Sequence, residues 1–433
     1  MKLSEVVYSL GWQTIRPLLA VASRLSPKLA RAVAGRKSAV GRMRGWAAEF
    51  GRSGGDGGDL VWLHGASAGE LAGAAPVVAE LRRSRAGLRF AVTYSSPSAE
   101  PAAGRLEPAY HGFVPYDLRR HTDAAVEALR PSALVYAKHD VWPNLTASAR
   151  RAGVPTGLVN ATVRPESGRL RQPGRAILRR AYGALDAVGA ASAADRERLE
   201  ALGVRREAVR VTGDASFDQA VARLGTPGER ALRLPSRPPG VIRLIAGSTW
   251  PDDEELLIEA AADLDAVELV LVPHEPTPRA VERLREACLA RYGRAPRLFS
   301  GLDPSAGGTA GPRMAPSPLI VDAVGVLAEL YAEGDLGYVG GAIAGTGLHS
   351  VVEPAAAGLP VLFGPRHDRR EARELVEAGA AFEVDATSIY ATLVALHDTA
   401  RRRRMGQAAL DYVAAHIGAG RRGAELVEGL LDG

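Results

Sequence analysis

Gly340, Gly341, Gly345 and Gly347 crowd one short stretch of this chain, and His349, Ser350 and Glu353 follow directly behind. Glycine lets backbone amides come close to a ligand. Ser350 reads as the cap of the next helix, whose unpaired N–H groups would attract an anion. Glu353 lies four residues beyond His349, so the two side chains would share one helical face. A phosphate-binding end beside a carboxylate able to accept from ribose hydroxyls is the layout of a nucleotide-sugar site. The plainer reading of the same residues is an ordinary strand–helix turn with a solvated glutamate.

A second group of residues could move protons. The run His64-Gly65-Ala66-Ser67-Ala68-Gly69-Glu70 reads as a strand end, a tight turn through Ser67 and a helix start. A carboxylate in that place can take a proton from an incoming hydroxyl, or it can simply complement the helix dipole. Ser95 and Ser96 occupy the next strand–helix turn and offer hydroxyls and N–H groups to a polar ligand or to a plain cap. Lys138, His139, Asp140 and Asn144 crowd the end of a third strand, around a Trp142-Pro143 pair that would fix the turn. Polar crowding on a loop held by a rigid scaffold points to function. Later in the chain, Ser248 and Thr249 can hold phosphate oxygens, and His274 ends a strand in Pro273-His274-Glu275-Pro276.

The elements that must position these groups alternate regularly. Apolar runs at 60–63, 89–94, 133–137, 155–160, 187–190 and 209–212 read as strands, with helical patterns between them. The same alternation returns with strands at 241–246, 268–272, 319–321, 336–339, 360–363 and 381–384. Strand and helix in strict alternation give an α/β fold with parallel sheets covered on both faces. The expected organisation is an arm at 1–50, a Rossmann-like domain at 51–218, a proline-bearing linker at 219–240 and a second Rossmann-like domain at 241–433, with a cleft between the carboxyl ends of their strands. A Gly/Ser/Asp spacer at 51–58 and a Gly/Pro/Ser-rich loop at 300–318 interrupt the pattern.

The chain has 433 residues, enough for two cores, and its single cysteine, Cys288, rules out an internal disulfide framework. No two of the nine histidines stand at zinc-ligand spacing, so no metal is expected. Nine basic residues against Glu5 and Glu49 give the first 50 positions a charge of +7, which leaves −2 for the rest of a chain that totals +5. With 5% aromatic residues and a body that is not basic, nucleic acid is not an expected partner. The arm is amphipathic, with Leu10, Ile15, Leu18, Val21 and Leu25 among Arg16, Arg24 and Lys28. It reads as an interfacial helix on an anionic membrane surface, or alternatively as a helix packed on the protein's own body.

Taken in order, GASAGE, YDLRR, KHDVWPN, LVNATVRPES, GSTWPDDEE, LVPHEP and the run from Tyr338 to Pro365 resemble the 3-deoxy-D-manno-octulosonic acid (Kdo) transferases over roughly residues 5 to 425. Those enzymes build the inner core of lipopolysaccharide. The resemblance implies a GT-B fold, two Rossmann-like domains facing across a cleft, and an inverting glycosyltransferase that needs no metal or other cofactor. It implies CMP-Kdo as donor and a lipid A precursor as acceptor, at the cytoplasmic face of the bacterial inner membrane, where an N-terminal helix holds such enzymes peripherally. Glu70 matches the family's proposed general base, Ser248 and Thr249 the donor-side GST motif, and Gly340, Gly341, His349 and Glu353 the donor loop and helix. His274 matches the Pro-x-His-Pro-like turn with a shift of one position. The chain departs from the family pattern where E-T-E-L-W-P-N becomes KHDVWPN, placing Lys138 and Asp140 at glutamate positions. It also departs where G-G-H-N becomes Gly347-Leu348-His349-Ser350, and where V-P-R-H-P becomes Val272-Pro273-His274-Glu275-Pro276. A paralogue using another nucleotide sugar or acceptor, or a non-catalytic sugar-nucleotide binder on the same scaffold, are the alternative readings.

Overall fold

The computed structural model describes residues 3–52, 58–225, 232, 234–302 and 317–433. Most of the spacer expected at 51–58, part of the linker expected at 219–240 and most of the loop expected at 300–318 lie outside the described residues. The chain forms two compact units, Met1–Gln219 with Ile417–Gly433, and Ala220–His416.

In the first unit, β1 (Leu60–His64), β2 (Arg89–Tyr94), β3 (Tyr110–Phe113), β4 (Ala133–Ala137), β5 (Thr156–Ala161), β6 (Ala187–Ala190) and β7 (Val209–Val211) form one sheet in the order β3-β2-β1-β4-β5-β6-β7. All pairings are parallel, with Leu63 in register with Val92 on one side and Val135 on the other. Every residue of β1 and β4 is buried. That burial is why these strands read as unbroken apolar runs rather than as alternating ones. The helices are α1 (Leu3–Ala22), α2 (Pro27–Arg52), α3 (Ala68–Ser84), α4 (Glu100–Gly104), α5 (Arg119–Leu129), α6 (Pro143–Arg151), α7 (Gly174–Gly183), α8 (Ala193–Leu202) and α9 (Ser216–Leu224), which runs through the division between the units.

The second unit repeats the plan. Its strands are β8 (Ile242–Thr249), β9 (Val267–Pro273), β10 (Arg297–Leu298), β11 (Leu319–Ile320), β12 (Leu336–Val339), β13 (Val361–Phe363) and β14 (Ala381–Glu383), ordered β10-β11-β9-β8-β12-β13-β14 and again parallel. Its helices are α10 (Pro251–Ala262), α11 (Pro278–Tyr292), α12 (Leu327–Tyr331), α13 (Val352–Ala356), α14 (Arg370–Glu377), α15 (Ile389–Ala395) and α16 (Thr399–His416). In both sheets the strand order reverses beside the first strand, between β1 and β4 and between β8 and β12. Loops leaving the carboxyl ends of such neighbours run to opposite faces and open a crevice for ligands.

Two features differ from the sequence reading. Strands β3 and β10 were not expected, because YHGF and a two-residue RL segment carry too few strand formers to stand out. The second domain was expected to run to the C-terminus, yet α17 (Ala419–Leu431) belongs to the first unit. Glycine makes that docking possible: a Cβ on Gly420 would sit 2.8 Å from Pro76 Cβ, and one on Gly423 2.8 Å from Val77 Cγ2, both on α3. The arm is helical, as expected, and packs on the rest of its own unit through Trp12, Val40, Met43 and Trp46, while Leu10, Ile15, Leu18, Val21 and Leu25 remain exposed. Among the described residues no helix is long and apolar enough to cross a membrane.

Candidate active site

The reversal point of the first sheet gathers the acid–base residues. Ser67 caps α3 by accepting from the Glu70 amide at 3.4 Å, and Glu70 Oε2 reaches back to the Ala66 amide at 2.5 Å. The dipole-complementing role is therefore real, and the second carboxylate oxygen remains for other work: Oε1 lies 3.6 Å from His139 Nε2. Glu70 is 8% exposed. Burial raises its pKa above the ordinary glutamate value, the charge of Asp140 raises it further, and the Ala66 amide, His64 and Lys138 pull it down in part. Burial and the nearby Arg169 push His139 down to about 4, against the attraction of Asp140. At neutral pH His139 is thus an uncharged imidazole beside the Glu70 carboxyl.

Asp140 is the anchor of a buried polar chain. Its Oδ2 accepts from the Trp142 indole at 3.0 Å and lies 3.7 Å from His64 Nε2, while Oδ1 lies 3.6 Å from Arg169. The last two are electrostatic contacts, longer than hydrogen bonds. Burial works to raise Asp140, but His64, the indole and Arg169 outweigh it and hold the carboxyl below the usual aspartate range. The wholly buried His64 faces Thr93 Oγ1 at 3.0 Å through Nδ1, and that oxygen accepts from the Trp62 indole at 2.8 Å. The threonine hydrogen is free to go to Nδ1, and the tautomer that accepts it turns its Nε2–H toward Asp140.

Lys138, beside them, adopts φ +67°, a left-handed conformation that costs a non-glycine residue energy and is retained where the surroundings over-determine it. Ser95 and Ser96 donate their amides to Ala66 O at 3.2 and 3.0 Å, which draws their turn against the Glu70 turn, and the buried Ser95 Oγ has no hydrogen-bond partner among the described residues. Asn144 is turned to structural use: its side chain donates to Asp117 O at 2.6 Å and its amide to Asp117 Oδ2 at 3.0 Å.

In the second unit the reversal point gathers a cradle of backbone and rings. Gly341 has φ +100°, and a Cβ there would sit 2.2 Å from Gly347 O; a Cβ on Gly340 would sit 2.4 Å from Ser248 O. Ser248 itself is left-handed at φ +53°. Asp253 ties the two turns together, accepting from the Trp250 and Gly341 amides at 2.9 Å each and from the Tyr338 hydroxyl at 2.7 Å. Thr249 is buried and donates to Glu254 at 3.0 Å, so its hydroxyl hydrogen is already committed. His274 stacks on Trp250 (4.9 Å, 21°) and lies 4.5 Å from His349, centroid to centroid. The Trp250 indole donates to His349 Nε2 at 3.3 Å, which fixes the proton of the neutral ring on Nδ1. Burial, helped by His274 and Arg369, pushes His349 down to about 4.

Two expectations fail here. Ser350 caps no helix: α13 begins at Val352, its capping position is Val351, and Ser350 is exposed. The glycine-rich loop continues past His349, so His349 and Glu353 do not share a helical face. His349 turns to Trp250, and Glu353 pairs with Arg223 at 2.7 Å.

Residues 18–219 match the family model described as 3-deoxy-D-manno-octulosonic-acid transferase (kdotransferase). A Kdo transferase of Bordetella pertussis is 34% identical over 86% of this chain and 87% of its own length. The chain belongs to the Kdo transferase family. It is thus a Kdo glycosyltransferase of lipopolysaccharide synthesis, and a non-catalytic binder is set aside. Solved structures of similar fold include a glycosyltransferase from Rickettsia africae (TM-score 0.58, 11% identity, 87% of this chain and 99% of that one). Another is a UDP-GlcNAc 2-epimerase from Neisseria meningitidis bound to UDP-GlcNAc (TM-score 0.58, 15% identity, 87% and 100%).

Within this Kdo transferase fold, several residues of the two crevices escaped the sequence reading. His64 and Trp250 lie within the motifs, but an isolated ring at a strand end reads as core. Asp253 looked like one more acid in an acidic helix start. Arg169 sits on a short 3₁₀ turn far from the motif it serves, and no local signal marks it.

Proposed function

We propose that this Kdo transferase moves Kdo from CMP-Kdo to a lipid A precursor by a single inverting displacement, with Glu70 as general base. The observation that carries the reading is the Glu70 carboxylate, buried, lifted in pKa and 3.6 Å from a neutral His139, at the ligand-binding end of its sheet. A base lifted toward working pH keeps more driving force for taking a hydroxyl proton than an ordinary glutamate. The deprotonated acceptor oxygen attacks the anomeric carbon, and CMP departs with the bonding pair. The second unit supplies the donor cradle: the Gly340–Gly341 turn, the Ser248–Thr249 turn and His349 Nδ1–H as a neutral hydrogen-bond donor. Donors fixed before the reaction stabilise the charge on the leaving phosphate at no reorganisation cost. Ser95, Ser96, Lys138 and His139 lie on the acceptor side; Lys138, at a family glutamate position, favours an acceptor with an anionic group.

The exposed stripe of Leu10, Ile15, Leu18, Val21 and Leu25, flanked by exposed Arg24, Lys28 and Arg31, suits the headgroup boundary of an anionic leaflet. The enzyme accordingly works peripherally on the cytoplasmic face of the inner membrane. Thermal stabilisation by CMP-Kdo, CMP, UDP-sugars and GDP-sugars, followed by transfer to a lipid A precursor, tests the reading. CMP-Kdo stabilises most and is consumed; preference for a UDP- or GDP-sugar would instead establish the paralogue reading.

A further inference from the structure

The N-terminal arm grips the turn that carries the carboxylates. The Trp12 and Trp142 rings stack, with 5.6 Å between centroids and 25° between planes, and Trp12 meets Tyr116 edge-on at 5.9 Å. The Arg36 guanidinium lies 5.1 Å from the Trp142 ring centre and 5.9 Å from that of Trp12. Tyr8 hydrogen-bonds Asp117, whose carboxylate also accepts from the Asn144 and Leu145 amides at 3.0 and 2.8 Å. Arm residues therefore hold the turn at Trp142 and, through Asp117, the first turn of α6. The other edge of Trp142 faces inward, where its indole N–H donates to Asp140 at 3.0 Å.

We propose that Trp142 is a positioning residue for the transfer reaction: it holds Asp140 beside Glu70, and the arm sets that position by clamping the Trp142 ring through Trp12 and Arg36. The proposal rests on the reading of Glu70 as general base. The helix that carries the exposed apolar stripe and the pocket that handles the proton become one coupled assembly, because Trp12 looks inward while Leu18, Val21 and Leu25 look outward. Displacing α1 frees Trp142 first and Asp140 next.

The sign of the effect follows from the surroundings. Glu70 is faced by Asp140, His64, Lys138 and His139, and Asp140 by His64, Arg169 and Arg36 with the hydroxyls of Tyr8, Tyr136 and Tyr182. After burial, the charge of Asp140 is the largest influence raising Glu70. An Asp140 that swings away, or that takes up a proton, lets Glu70 relax toward its ordinary value.

The test is a 13C NMR titration of the Glu70 carboxyl in the full chain, assigned with Glu70→Gln, run beside the pH profile of turnover. Asp140→Asn should lower the Glu70 midpoint by about one unit, and Trp142→Phe and Trp12→Ala by roughly half a unit in the same direction. Trp12→Phe, which can still stack, should restore the wild-type midpoint. Trp142→Phe keeps a ring and removes the N–H, so a purely packing role for Trp142 leaves the midpoint where it was. Should Trp12→Ala fail to fold, Arg36→Met makes the same comparison and the same downward shift is expected. The proposal is overturned if the tryptophan and arginine variants leave both midpoint and acid limb unmoved, whether or not Asp140→Asn shifts them. Failure of the general-base reading is seen separately, as turnover in Glu70→Gln, and does not touch the NMR midpoints.

Discussion

The two crevices solve different electrostatic problems with different materials. The first unit's pocket is built from side chains that carry or refuse charge: Glu70 lifted, Asp140 held down, His139 kept neutral at about 4. The second unit's cradle is built mainly from backbone, glycines folded where a side chain has no room, with a neutral His349 whose tautomer is set by an indole. A group that must exchange a proton needs a tunable environment. A group that must hold a phosphate needs fixed donors at close range. The contrast teaches that the two halves should fail differently: changes in the first move pH profiles, and changes in the second move affinity.

The largest expected effect is in the cradle. Gly341→Val forces a β-branched residue into φ +100° and against Gly347 O, and should weaken CMP-Kdo binding by more than about 100-fold, read by isothermal titration. Donor affinity kept within a few-fold would break the backbone half of the contrast. Next, His349→Ala removes the Nδ1–H donor and should cost roughly tenfold in donor affinity, with the acid limb of the turnover profile unmoved. A moved acid limb would erase the distinction between the halves. Third, Lys138→Glu replaces a cation that lowers Glu70 by an anion that raises it, and should shift the acid limb upward by about one unit while donor affinity holds.

The smallest effect concerns stability. His139 and His349 are both held at about 4 in the folded chain, below the unfolded histidine value of about 6.5. The unfolded chain therefore takes up protons that the folded chain refuses. Their contribution is whole above about 6.5 and is lost as pH falls through about 4. Each should account for roughly 1 kcal/mol after allowance for partial exposure, seen as a shallower acid limb of urea-unfolding stability in His139→Gln or His349→Gln.

The sequence made the scaffold legible because buried parallel strands are unbroken apolar runs with helices between them. LVWLH and ALVYA were found for that reason, whereas YHGF was not. Glu70, Lys138, His139 and Asp140 were legible because polar residues at strand ends stand out against such runs. The helix face expected for His349 and Glu353 was not borne out, since periodicity cannot tell where a glycine-rich loop ends, and here it runs on to Val351. The destination of α17 was hidden because a helix names its apolar face but not the sheet that will cover it. Arg169 and the Trp12–Trp142 stack were hidden because tertiary folding alone brings them to Asp140 and to one another.

The most direct measurement of the central claim is single-turnover Kdo transfer by Glu70→Gln under saturating CMP-Kdo. Glutamine can still accept from the Ala66 amide, so the melting temperature and donor affinity should stay unchanged while the transfer rate falls by about 100-fold or more. A transfer rate within a few-fold of the wild type, from a folded and donor-saturated protein, would contradict the general-base role.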